Sequence, residues 1–64
     1  MGHYWIIKTQ DTGGRTMYLA RVRPVRYSYE LSDARHYDDE HIKKVSSWLV
    51  DIGVSHSLVQ FSNV

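Results

Sequence analysis

Residues 37–53, Tyr-Asp-Asp-Glu-His-Ile-Lys-Lys-Val-Ser-Ser-Trp-Leu-Val-Asp-Ile-Gly, read as one helix with both ends written into the chain. Asp38 is placed to cap the start, and Asp39 and Glu40 put negative charge on the first turn, where it complements the helix dipole. Ile42, Val45, Trp48, Leu49 and Ile52 recur at helical spacing and define one apolar face. Tyr37, just before the cap, and Ile42, in the second turn, have the spacing of a hydrophobic staple. Gly53 follows the last apolar residue and suits a left-handed C-cap. The expected helix runs from Asp39 to Ile52 and buries Trp48. Truncation of Trp48 to alanine is then expected to cost roughly 3–5 kcal/mol.

The rest of the chain reads as short strands and turns. His3 to Thr9 is aromatic and β-branched. Asp11-Thr12-Gly13-Gly14 is a turn, with glycines for positive φ. Thr16 to Arg23 forms a second strand and hence a hairpin. Pro24 ends it or forces an edge position, because proline cannot donate to a ladder. Val25 to Glu30 alternates, with Val25, Tyr27 and Tyr29 on one side and Arg26, Ser28 and Glu30 on the other. Ser32 to Arg35 reads as a single helical turn capped by Ser32. Ser57 to Ser62 is a last strand. The order β-β-β-α-β predicts a small α+β domain over residues 1–64, with an antiparallel sheet of three or four strands and one amphipathic helix on one face.

Sixty-four residues make one small domain with a marginal core, without room for separate catalytic and substrate domains. There is no cysteine, which excludes disulfides and thiolate zinc sites. It also fits a reducing cytosol, so the expected location is cytoplasmic. No apolar run is long enough to span a membrane. No basic segment followed by an apolar one opens the chain, so no secretory signal is expected. Met1-Gly2 is followed by Ile6 where myristoylation requires Ser or Thr. The net charge of +1 is unevenly spread. Residues 1–29 carry Lys8, Arg15, Arg21, Arg23 and Arg26 against Asp11, a net of +4. Residues 30–64 carry Arg35, Lys43 and Lys44 against Glu30, Asp33, Asp38, Asp39, Glu40 and Asp51, a net of −3. Such polarity bears on association rather than on fold.

Three groups of residues have chemistry worth weighing. His36, Asp39, Glu40 and His41 are metal-ligand types close in sequence, but their spacing matches no zinc-enzyme motif. A helix start rich in carboxylates accounts for them without a metal, and no cofactor is expected. Ser55-His56-Ser57 are adjacent, yet neighbours in a strand point to opposite faces, which argues against a serine–histidine pair. No nucleophile elbow is present, and Gly13-Gly14 is a turn rather than a phosphate loop, so no enzyme is expected. Finally, Arg15, Arg21, Arg23 and Arg26 lie among Tyr27 and Tyr29. Arginine with tyrosine makes protein–protein hot spots. The same residues supply a phosphate track and stacking rings for single-stranded nucleic acid. Alternatively, the tyrosines pack beneath the helix while the arginines are merely solvated.

Tyr4-Trp5-Ile6-Ile7-Lys8, Tyr18-Leu19 and Leu31-Ser32-Asp33-Ala34-Arg35-His36-Tyr37-Asp38 ahead of a helix resemble a pattern in many small phage and mobile-element proteins. Tyr37 stands where that pattern often has phenylalanine. The resemblance extends over nearly the whole chain. Some proteins of this type are anti-CRISPR or other anti-defence proteins, which occupy a surface of a host nuclease. The resemblance therefore implies a non-catalytic viral inhibitor acting in the host cytoplasm by protein–protein interaction, with a host protein, a CRISPR effector nuclease for example, as partner. The alternatives from the residues are a small nucleic-acid-binding accessory protein, or a homodimer joined through its tyrosine-bearing sheet face.

Overall fold

The computed structural model describes residues 2–62. Strands β1 (His3–Gln10), β2 (Thr16–Val22) and β3 (Val25–Ser28) precede helix α1 (Asp39–Asp51), and β4 (Ser57–Ser62) follows it. They form one antiparallel sheet in the order β3-β2-β1-β4. A 3-10 turn, Leu31–Asp33, stands between β3 and α1. This is the α+β architecture expected from the sequence.

The sheet is not a continuous ladder. β1 pairs with β4 along six residues, from His3↔Ser62 to Lys8↔Ser57. It pairs with β2 only at Lys8↔Tyr18, Thr9↔Met17 and Gln10↔Thr16. Beyond that point the segment 34–37 takes the place of the missing ladder. The Arg35 amide donates to the Leu19 carbonyl of β2 at 3.0 Å. Trp5 of β1 and Tyr37 exchange N–H···O bonds of 2.8 and 2.9 Å. The inserted backbone thus satisfies donors and acceptors on both strands, which a buried split would otherwise leave unpaired.

A second irregularity sorts the side chains of β2. Between Leu19 and Arg21 the β2–β3 register shifts by one residue, so that Leu19 pairs with Tyr27 and Arg21 with Arg26. Leu19 and Arg21 have the same parity and would share a face of a regular strand. The bulge inverts the alternation at that point. Val22 instead joins Leu19 in the core, and Arg21 turns outward. The hairpin closes through Arg23-Pro24, a cis peptide. β3 ends at Ser28, two residues short of the expected strand.

The helix ends follow the local signals. The Asp38 carboxylate accepts from the His41 amide at 2.7 Å, and Gly53 has φ of +80°. The Gly53 amide donates to Val50 O and the Val54 amide to Leu49 O, at 3.0 and 2.8 Å, completing a Schellman motif. In the 3-10 turn, Ser32 lies inside rather than at the cap, and Glu30 stands at the N-cap without a side-chain bond.

The core beneath α1 consists of Ile7, Leu19, Tyr37, Ile42 and Leu49, flanked by the half-buried Trp5, Val22, Tyr27, Val45 and Val54. Tyr37 and Ile42 meet in it as the staple requires. Trp48 and Ile52 do not: they are 36% and 49% exposed, whereas Leu49 is fully buried. The five-residue apolar arc is wider than the strand it covers, so its flank remains in solvent. On the opposite face Ile6 is as buried as Ile7, at 1% exposure each. There the His36 ring stacks on Tyr4, centroids 3.8 Å apart, and Tyr4 stacks on Phe61 at 5.6 Å.

Leu49→Ala is expected to cost about 2–5 kcal/mol because it opens an enclosed cavity. Trp48→Ala loses burial without a cavity and is expected to cost only about 1–2 kcal/mol. Denaturant midpoints of the two variants check this order; the sequence pattern, which counts Trp48 as buried, gives its truncation roughly 3–5 kcal/mol. The Tyr37 hydroxyl is buried with no hydrogen-bond partner among the described residues. Its desolvation costs on the order of 1–3 kcal/mol. Tyr37→Phe, which keeps the ring, is therefore expected to raise the melting temperature; a clear drop would reveal a bond to that oxygen.

Candidate functional site

The six arginines and tyrosines singled out from the sequence fall into three environments. At the open end of the β2–β3 hairpin, Asp11 organises a small cluster. Its Oδ1 accepts the amides of Gly13 and Arg15, both at 2.9 Å, and fixes the β1–β2 turn. Its Oδ2 accepts the Tyr29 hydroxyl at 2.7 Å. The Arg15 guanidinium lies over the Tyr29 ring, 4.1 Å from the centroid. The Tyr29 hydrogen bond, followed by the Arg15 amide, holds the Asp11 carboxyl below its ordinary value, and the same hydroxyl bond raises Tyr29.

Tyr27 lies on the inner face and packs against the core, so its ring belongs to the support of the hairpin. Arg21, Arg23 and Arg26 occupy the turn end and are exposed. Arg21 and Arg26 are direct partners across the ladder. Arg15 is six residues from Arg21, roughly 20 Å along an extended strand. Among the described residues, no arginine or lysine lies within ion-pair distance of a carboxylate; the ion pairs are His3–Asp39 and His41–Asp38.

The carboxylates and histidines at the helix start are divided between separate tasks. Asp38 Oδ1 takes both the His41 amide and His41 Nδ1, at 2.7 and 2.8 Å. These two bonds hold Asp38 below its ordinary value. Asp39 Oδ1 accepts Trp5 Nε1 at 2.7 Å and pairs with His3 Nε2 at 2.9 Å, bonds that tie α1 to β1 and lower Asp39 likewise. His36 stacks on Tyr4, and Glu40 is exposed. Among the described residues no three metal-ligating groups converge.

A serine–histidine contact does occur, although not among the adjacent residues. Ser46, on α1, has its Oγ 2.8 Å from His56 Nε2. His56 Nδ1 lies 3.0 Å from the Val54 carbonyl, which can only accept, so Nδ1 carries the proton. In the neutral ring Nε2 then accepts from the Ser46 hydroxyl. This is the hydrogen bond of a nucleophile and its base. Ser46 is in the middle of α1, however, where the surrounding amides are spent on helical bonds and none is free to receive an oxyanion. The pair instead clasps the helix to the segment entering β4. An open cleft of about 390 Å³ adjoins His56, lined also by Lys8, Thr9, Asp11, Ser55 and Ser57. Residues 36 and ten apart make these histidine contacts. No local pattern announces them.

Compared with protein-family models, curated proteins and solved structures, the chain matches none. No helix among the described residues is long and apolar enough to cross a membrane.

The lowered carboxylates set an acid limit to stability. Asp11, Asp38 and Asp39 have folded values below the ordinary 3.8. Their contribution is complete above that value and is lost as pH falls through the folded values. The melting temperature is expected to fall on acidification below about pH 4. Asp39→Asn is expected to lower it at pH 7 and to flatten the acid limb. A limb unchanged by this substitution would separate the Trp5–His3 contact from acid stability.

Proposed function

We propose that this is a non-catalytic binding protein whose recognition element is the arginine-bearing β2–β3 hairpin. One observation supports the reading above others: Arg21 and Arg26 stand opposite each other across the ladder, exposed, with no carboxylate among the described residues within ion-pair distance. Like charges directly opposite destabilise a strand pair. The fold gains nothing from them, so their value lies in association. The surface suits an acidic patch on a larger partner. On the resemblance drawn from the sequence, that partner is a host defence nuclease such as a CRISPR effector, masked stoichiometrically by a phage-type inhibitor.

The nucleic-acid alternative draws less support from the geometry. Base stacking needs open aromatic faces. One face of the Tyr29 ring is taken by Arg15, and Tyr27 is packed inward.

Exposed arginines contribute little to folding, typically below about 1 kcal/mol each, whereas one at an interface centre is worth about 2 kcal/mol or more of binding. The combined variant Arg21→Ala, Arg23→Ala, Arg26→Ala is therefore expected to melt at or slightly above the temperature of the parent chain. It is expected to lose inhibition in cleavage assays with purified effector nucleases. Undiminished inhibition by this variant would move the surface elsewhere, to the acidic side of α1. Absence of inhibition by the parent chain, together with oligonucleotide binding that weakens steeply with salt, would favour the accessory-protein reading.

A further inference from the structure

The two edges of the sheet are protected very differently. β3 is four residues long, carries Arg26, follows Pro24 and pairs across a bulge. Each of these features discourages the addition of another strand. β4 is six residues long, Ser-Leu-Val-Gln-Phe-Ser, with no charge and no proline. It pairs with β1 in unbroken register. Nothing in it opposes edge-to-edge pairing.

The direction of its free hydrogen-bonding groups follows from β1. Trp5 spends its N–H and C=O on Tyr37, on the side of β1 away from β4. The pairs that exchange bonds with β4 are therefore Tyr4↔Phe61, Ile6↔Val59 and Lys8↔Ser57. By alternation, the backbone groups of Leu58, Gln60 and Ser62 point out of the sheet. No hydrogen bond among the described residues reaches them.

We infer that β4 pairs antiparallel with β4 of a second copy of this chain, about a two-fold axis at Gln60. In that register Gln60 meets its symmetry mate, and Leu58 of each copy faces Ser62 of the other. These are the three outward-pointing positions, so every free group finds a partner, with two bonds per facing pair. On the face away from α1, Val59 of each copy lies beside Phe61 of the other, a β-branched–aromatic pair of the kind that stabilises sheets. Leu58, 40% exposed in the single chain, gains cover on the helix side.

The self-complementary register singles out a second copy as the occupant, and charge does not oppose it. The joined sheet runs β3-β2-β1-β4-β4-β1-β2-β3 and sends the two basic hairpins to opposite ends. Seven strand spacings of about 4.8 Å separate the β3 strands, roughly 34 Å. That is several times the Debye length of about 8 Å at physiological salt, so the hairpins do not repel. Pairing through β3 would instead bring Arg26 residues together. The contact leaves both hairpins free and stands whether or not they bind a nuclease.

Sedimentation equilibrium is expected to show a mass rising with concentration from 7.5 kDa toward twice that value. Gln60→Lys alone and Gln60→Glu alone place like charges on the axis and are each expected to remain monomeric. An equimolar mixture of the two is expected to recover the doubled mass, while the triple arginine variant dimerises like the parent chain. Hydrogen exchange gives a readout that needs no variant: the amides of Leu58, Gln60 and Ser62 are expected to slow as concentration rises. A parent chain that stays monomeric with these amides exchanging freely at high concentration overturns the inference. So does a dimer that both Gln60 variants leave intact.

Discussion

The reciprocal backbone bonds between Trp5 and Tyr37 govern the arrangement of everything around them. They hold segment 34–37 inside the sheet, between β1 and the end of β2. That position delivers Tyr37 into the core and puts Asp38 where a helix must start. α1 thereby starts against β1, and Asp39 adds to the contact by bonding the Trp5 indole. A backbone insertion of this kind gains little over water for each bond, but leaving any of them unmade inside the protein is costly. The constraint is therefore one of satisfaction: once β1 and β2 diverge, some segment must enter the gap.

The bulge in β2 serves the same geometry at the other side of the gap. It permits Leu19 and Val22 to face the helix although they are three apart, and it places Arg21 outward. The polarity of the hairpin, apolar beneath and basic above, thus depends on one inserted residue. The acidic residues are sorted by a parallel logic. Asp11, Asp38 and Asp39 each bond backbone amides or ring N–H groups, and none neutralises an arginine. Apart from the Asp11–Arg15 cluster, the structural anions lie away from the free arginines of the hairpin in a nearly neutral molecule.

Local signals carried much of this into the sequence. Asp38 and Gly53 mark the helix ends because caps depend on a few adjacent backbone groups. Alternation in residues 25–28 correctly separates Tyr27 from Arg26. What failed depends on distant parts. Trp48 and Ile52 match the helical period, but burial is decided by the width of the sheet below, which no period reports. Tyr29 continues the alternation of β3 on paper, yet the strand stops at Ser28 and Asp11 draws its hydroxyl away. The bulge at β2, the insertion of Tyr37 and the Ser46–His56 clasp all require partners far along the chain. Of the candidate surface, the concentration of arginines in the hairpin was legible; the outward face of Arg21, which the bulge decides, and the division into an anchored Arg15 and a free Arg21–Arg26 pair were not.

The pairing of His3 with Ser62 has a consequence for how the chain acquires its shape. β1 lies inside the sheet, yet one of its neighbours is the strand most distant from it in sequence. Until β4 pairs, Tyr4 and Ile6 have no ladder on that side and Ile6 has no complete enclosure. The hairpin and the helix are local and form quickly; the closing strand joins positions nearly sixty residues apart and must overcome the entropy of that loop. The molecule is small, but its closing contact is among the most non-local it has, so completion of the sheet is expected to be slower than formation of the hairpin or the helix.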